Sequence, residues 1–207
     1  MKKWLLLLGL AAGFSQTVMA EGDAEAGKAK AVTCVACHGN DGNSALAMNP
    51  KIAGQHEGYL AKQLTEFRLA SQTGGTEGRN NAVMNGMATA LSDQDIKDLA
   101  AWFASQTMTK GETPEDVIEA GKALYSGGDL ERGITACVAC HGPRGNGMGL
   151  ANFPDISGQH VDYTKSQLKQ FRSGDRANDL NGMMRDIAKK LTDDDIDILS
   201  KYVAGLH

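Results

Sequence analysis

Two short runs constrain this chain more than any other feature. Cys34 to His38 and Cys137 to His141 both read C-V-A-C-H, and together they use all four cysteines. Two thiols at this spacing add across the two vinyl groups of one porphyrin, and the histidine that follows is placed beneath the iron as an axial ligand. The pattern points to two covalent haem c groups, attached through Cys34, Cys37, Cys137 and Cys140, with His38 and His141 on the irons. A thioredoxin-like C-x-x-C follows a strand in a βαβ pattern, whereas the segments before Cys34 and Cys137 are short, rich in Ala, Gly and Lys, and free of strand alternation. A zinc site built from both cysteine pairs leaves the histidine after each pair unexplained.

The first residues, M-K-K-W-L-L-L-L-G-L-A-A-G-F-S-Q-T-V-M-A, have a basic start and an apolar stretch, and Val18 and Ala20 suit a cleavage site. Residues 1–20 read as a secretory signal cleaved after Ala20, which places the working chain outside the cytoplasm. As a membrane anchor the segment is too short: its apolar core ends near Phe14, and a spanning helix needs roughly 20 residues. The chain is 42% apolar and 22% charged, which suits a soluble globular protein and excludes disorder or a bundle of membrane spans. The formal net charge is -4, and loss of Lys2 and Lys3 with the leader leaves 19 basic against 25 acidic side chains. No nucleic-acid partner is expected from such a balance.

An internal repeat sets the architecture. N-P-K-I-A-G-Q-H (Asn49 to His56) maps to F-P-D-I-S-G-Q-H (Phe153 to His160) at an offset of 104, and Q-L-T-E-F-R (from Gln63) maps to Q-L-K-Q-F-R (from Gln167) at the same offset. L-S-D-Q-D-I (from Leu91) maps to L-T-D-D-D-I (from Leu191) at 100. Two tandem domains of one fold follow, residues 21–108 and 115–207, joined by a polar linker at 109–114. Their elements read as helices. Ser92 and Thr192 are N-caps with Asp95 and Asp195 three positions on, and the runs behind them put Ile96, Leu99 and Phe103, then Ile196, Leu199 and Val203, on one face. Tyr59 to Phe67 and Tyr163 to Phe171 give a middle helix, while A-E-A-G-K-A-K and I-E-A-G-K-A-L-Y open the two units. The expected fold is all-α, and a buried porphyrin would supply much of the core of units this small.

The sixth position of each iron separates a carrier from an enzyme. Met84 lies seven residues before Leu91 and Met184 seven before Leu191, so these two are equivalent by register and are the expected distal ligands. Met87 and Met183 match only through a local N-G-M string. His56 and His160 also repeat, so bis-histidine ligation stays open beside the commoner capping or surface role. Imidazole plus thioether fills both axial positions, raises the potential and leaves no vacancy for oxygen or peroxide, which argues for electron transfer. Pro50 and Pro154 follow the haem histidines by 12 and 13 residues, and read either as ordinary loop prolines or as residues whose carbonyls accept the proximal ring N–H. Arg68 and Arg172 are read either as solvated or as propionate partners.

The order C-V-A-C-H, N-P-K-I-A-G-Q, M-N-G-M, L-S-D-Q-D-I, repeated as C-V-A-C-H, F-P-D-I-S-G-Q-H, M-M-R, L-T-D-D-D-I and ending A-G-L-H, resembles the dihaem cytochrome c4 family over essentially the whole chain after the leader. The resemblance implies two class I cytochrome c domains related by a pseudo-twofold axis with the haem edges near the domain interface. It also implies ligation by His38 with Met84 and His141 with Met184, and Pro50 and Pro154 as the proximal-histidine partners. The neighbouring Met183 and Met184 depart from the family pattern and make the second ligand a choice that only register decides. The expected function is a monomeric periplasmic electron carrier in respiration, taking electrons from a membrane quinol-oxidising complex and feeding a cbb-type haem-copper oxidase. Any membrane association is expected to be peripheral. Two other functions are carried forward: the dihaem electron-accepting subunit of a periplasmic flavin dehydrogenase, and a dihaem peroxidase.

Overall fold

The computed structural model describes residues 21–207, so the expected leader lies outside the described residues. The first half contains α1 (Ala24–Lys30), α2 (Val35–His38), α3 (Glu57–Gln72), α4 (Ala82–Ala88) and α5 (Asp93–Ala104). The second half repeats the order as α6 (Ile118–Gly127), α7 (Val138–His141), α8 (Val161–Ser173), α9 (Met183–Ala188) and α10 (Asp193–Ala204). Among the described residues there is no strand beyond two isolated antiparallel bridges, Asp129 with Ile134 and Met148 with Phe153. No described helix is long and apolar enough to cross a membrane.

The closing helices α5 and α10 form where their sequences say they should. Ser92 and Thr192 each accept from the backbone N–H three residues on, and Asp95 and Asp195 reach back to the cap backbone, completing a capping box at both starts. Ile96, Leu99 and Phe103 are buried on one face of α5, as are Ile196, Leu199 and Val203 on α10. The opening helices cross these faces at glycine. A Cβ on Gly27 would sit 1.9 Å from the Asp98 carbonyl oxygen, and one on Gly121 would sit 2.6 Å from Tyr202 Cβ. The repeated E-A-G-K therefore marks the point where two helix backbones must approach closely.

Arg132 adds a tie at α10, bonding Asp195 from outside the helix. Hydrogen bonds from Arg132 chiefly, and from Thr192, hold the Asp195 carboxyl at about 2 against an ordinary 3.8. A carboxyl held low stabilises the fold above its unfolded pKa, so this contribution is complete above about pH 4 and disappears as the pH falls through about 2. Thr192→Ala is expected to destabilise the second domain by about 1 kcal/mol. For a domain of this size that lowers its melting temperature by roughly 4–8 °C, measured by thermal melting of the holoprotein near pH 7.

Each domain has its own apolar cluster: Ala31, Leu60, Leu99, Ala100 and Phe103 in the first, and Leu124, Tyr125, Ile134, Leu191, Ile196, Leu199 and Val203 in the second. The join between them is polar but not loose. Thr113 Oγ1 donates to the Tyr202 carbonyl, and Asn43 pairs with the backbone of both Thr107 and Thr109. This stretch of chain is fastened to both domains, which restricts how far one can turn against the other.

Candidate functional site

The two C-V-A-C-H runs fold into single helical turns. Cys34 and Cys137 stand at the starts of α2 and α7, and His38 and His141 end them. Residues i, i+3 and i+4 share one helix face, so both thiols and the histidine of each run are directed the same way. The chain then leaves through Gly39 at φ +82° and Gly142 at φ +72°, a backbone conformation that suits glycine. The loop beyond folds back under the histidine. Gly42 accepts from Ile52 N–H and Gly145 from Ile156 N–H, both at 2.8 Å, which brings Pro50 and Pro154 to the imidazoles.

His38 Nδ1 lies 3.0 Å from the Pro50 carbonyl oxygen, and His141 Nδ1 lies 3.0 Å from that of Pro154. A carbonyl only accepts, so Nδ1 carries the proton in both rings and Nε2 keeps its lone pair. Both histidines are buried, and burial holds their pKa values below the ordinary imidazole value despite the carbonyl bonds. A neutral ring with an oriented lone pair is what a transition metal requires of histidine. The four thiols are free. Burial pushes Cys34 up and Cys137 to about 11, the opposite of the depressed thiolates of C-x-x-C redox sites. Among the described residues no three His, Cys, Asp or Glu side chains gather to hold a metal ion, so a four-cysteine zinc centre is not formed.

Met84 lies in α4 and Met184 in α9, each half-buried and each four residues before an alanine with no exposed surface, Ala88 and Ala188. That spacing puts each methionine on the inward face of its helix. Met87 is 41% exposed. The N-G-M strings fall in different local structures: Asn85 and Gly86 are inside α4, whereas Asn181 and Gly182 form the turn before α9. The local string therefore does not relate equivalent positions.

His56 and His160 take a hydrogen-bonding role, but with the other domain rather than as helix caps. Each stands at a helix start without capping it by its side chain. Their Nε2 atoms instead meet carbonyls of the opposite domain, His56 with Asn146 at 2.7 Å and His160 with Ser44 at 2.8 Å. Arg68 and Arg172 are likewise engaged, each bonding a carbonyl before the closing helix (Leu91, Leu191) and the first acid within it (Asp93, Asp193).

Two residues escaped the sequence reading. Arg79 and Arg176 are buried at the domain interface, stacked over Phe67 and Phe171 with guanidinium carbons 4.8 and 4.5 Å from the ring centroids. Arg79 donates to Gln63, Tyr163 and Gln167, and Arg176 to Gln167, Tyr59, Gln63 and Asn178. Their sequence offset is 97, because α3 is longer than α8 and the following loops differ. The signal that finds them is the short R-N-N and R-A-N similarity after the middle helix.

The chain matches the cytochrome c family model twice, over residues 24–107 and 118–207. It is 47% identical to cytochrome c4 of Azotobacter vinelandii over 210 aligned positions, covering 100% of both chains. It superimposes on the crystal structure of reduced recombinant cytochrome c4 from Pseudomonas stutzeri with a TM-score of 0.87 at 46% identity, covering 90% of this chain and 100% of that one. The chain belongs to the cytochrome c4 family. It is also 37% identical to the thiosulfate dehydrogenase electron acceptor of Stutzerimonas stutzeri, covering 85% of this chain and 80% of that protein.

As a cytochrome c4 the chain binds two haem c groups, one in each cytochrome c domain, and it is an electron-transfer protein rather than an enzyme. The side chains present fit that cofactor. Each domain offers a free thiol pair and a neutral imidazole, and the interface offers two buried guanidiniums whose hydrogen-bond partners are all neutral. Burial alone would push the Tyr59 hydroxyl up, yet Arg176 and Arg79 outweigh it and hold it below the usual tyrosine value. The two guanidiniums thus put positive charge into the interface, with Asp179 as the acid that acts on Arg176.

Proposed function

We propose that this chain is a periplasmic dihaem carrier of respiratory electrons, with His38 and Met84 on one iron and His141 and Met184 on the other. Cys34, Cys37, Cys137 and Cys140 hold the porphyrins, and Pro50 and Pro154 orient the proximal rings. The observation that supports the reading is the repeated His–Pro pair, which leaves Nε2 of both buried imidazoles with a free lone pair, combined with a methionine on the inward face of α4 and of α9. Each haem iron, when bound, takes up and releases one electron. The chain's own residues keep that exchange free of other chemistry. The imidazole stays neutral and oriented, and the methionine thioether would occupy the position that oxygen or peroxide needs.

The donor is proposed to be a membrane quinol-oxidising complex and the acceptor a cbb-type haem-copper oxidase, with the leader removed after Ala20. Reductive titration of the mature holoprotein, with haem counted in parallel, is expected to give two low-spin haems per chain and the weak methionine-to-ferric absorption for both. Peroxide turnover is expected to be negligible. One haem lacking the thioether band, with fast peroxide turnover, would overturn the carrier reading. The likeness to a thiosulfate dehydrogenase electron acceptor favours a second reading, in which a periplasmic dehydrogenase is the donor. Purification together with such an enzyme at fixed stoichiometry decides for that reading.

A further inference from the structure

The peptide that follows each proximal proline has two hydrogen-bonded ends. Its carbonyl, on Pro50, accepts His38 Nδ1–H at 3.0 Å, and its N–H, on Lys51, donates to Gln159 Oε1 at 2.9 Å. Gln159 belongs to the other domain, and its Nε2 donates to the Lys51 carbonyl at 2.8 Å. The second domain repeats the arrangement in reverse. The Pro154 carbonyl accepts His141 Nδ1–H at 3.0 Å, while Asp155 N–H donates to Gln55 Oε1 at 2.9 Å and Gln55 Nε2 donates to the Asp155 carbonyl at 2.7 Å. Both glutamines are buried, and each Oε1 also accepts the N–H of the histidine that follows it, so the amide is held from three sides.

We propose that Gln55 and Gln159 are crossed positioning residues, each setting the donor strength of the proximal histidine in the opposite domain. The inference rests on His38 and His141 being the iron ligands. An oxygen accepting from a peptide N–H draws negative charge onto that peptide's carbonyl oxygen, because amide resonance links the two ends. The carbonyl then holds His Nδ1–H more strongly, and Nε2 becomes a stronger donor to iron. A stronger donor favours the ferric state. Gln159 therefore lowers the potential of the first haem and Gln55 that of the second. Cooperative strengthening is roughly 10–30% per hydrogen bond, so the effect sought is small but directional.

The test is a redox titration of holoprotein Gln159→Leu and Gln55→Leu, with each potential assigned to its domain by the paramagnetically shifted ligand-methionine methyl resonances. Gln159→Leu is expected to raise the first haem's potential by about threefold in its one-electron equilibrium constant, or ~28 mV at 59 mV per tenfold, and to leave the second haem nearly unchanged. Gln55→Leu is expected to do the reverse. A shift confined to the variant's own domain, equal shifts in both, or no shift overturns the proposal. Should the leucine variants lose a haem or helical signal, Gln159→Glu decides. It keeps the shape and the acceptor, and is expected to lower the first haem's potential more than the second's; an equal or reversed pattern overturns the relay. Wild-type spectra come first. Spectra without imidazole ligation overturn the histidine assignment and the relay with it, whereas imidazole ligation without the crossed shift overturns the relay alone.

Discussion

Met184→Ala is expected to remove the methionine-to-ferric band of one haem, convert that haem to a form that takes added ligands, and lower its potential by on the order of 0.1 V. Axial ligands span about 0.8 V across haem proteins, so loss of a thioether is among the largest single changes available to this chain. Met183→Ala is expected to change none of these. Register separates the neighbours: Met184, like Met84, lies seven residues before the leucine that precedes the closing helix and four before a fully buried alanine. Met84→Ala is expected to act likewise on the other haem, and Met87→Ala to be silent, since Met87 is substantially exposed while Met84 is four residues before Ala88. Optical spectra of the four oxidised holoproteins check the set. Retention of both bands in Met184→Ala, or loss of one in Met183→Ala, would reverse the assignment.

Replacing Cys34 and Cys37 together with alanine is expected to lower the haem content from two per chain to one and to unfold the first domain at 25 °C. The expected loss is that domain's entire stability, on the order of 5 kcal/mol. Among the described residues its fully buried apolar cluster has three large side chains, Leu60, Leu99 and Phe103, beside Ala31 and Ala100, with Ile52, Leu64, Leu91 and Trp102 partly buried around it. A ligand that binds only the folded state stabilises it by mass action, and a covalently held one cannot be diluted away. The second domain should depend less on its haem, because Leu124, Tyr125, Ile134, Leu191, Ile196, Leu199 and Val203 pack together. The corresponding Cys137 and Cys140 variant is therefore expected to retain more helix. Haem counting, far-UV circular dichroism and methyl dispersion in NMR spectra measure both. A haem-free first domain with native dispersion would contradict the expectation.

The all-α fold was legible wherever a helix announces itself locally. Ser92 and Thr192, each followed three residues on by aspartate, mark the closing helices, and the buried positions behind them follow a 3.6-residue period. The thiol–histidine turns were legible for a different reason: covalent chemistry admits few spacings. Met184 was expected over Met183 only because a repeat carries register over distance; both side chains are half-buried at the start of α9.

What was not legible lies almost entirely between the domains. His56 and His160 read as surface or capping residues because nothing near them in sequence accepts their Nε2; the acceptors are Asn146 and Ser44, 90 and 116 residues away. Arg79 and Arg176 went unseen because loop and helix-length differences move them out of register, although both end in the same buried stack over a phenylalanine. Gln55 and Gln159 were visible as a repeat but not as partners of the opposite proline segment. The sequence by itself determined the helices and the two attachment turns, and it put Pro50 and Pro154 within reach of His38 and His141. Those depend on neighbours within a few residues or on a carbonyl 12 or 13 residues on, which one short loop delivers. Only the tertiary structure decided how one haem site touches the other. That contact depends on the docking of two domains, and side chains some 80 to 117 residues apart carry no local pattern to announce it.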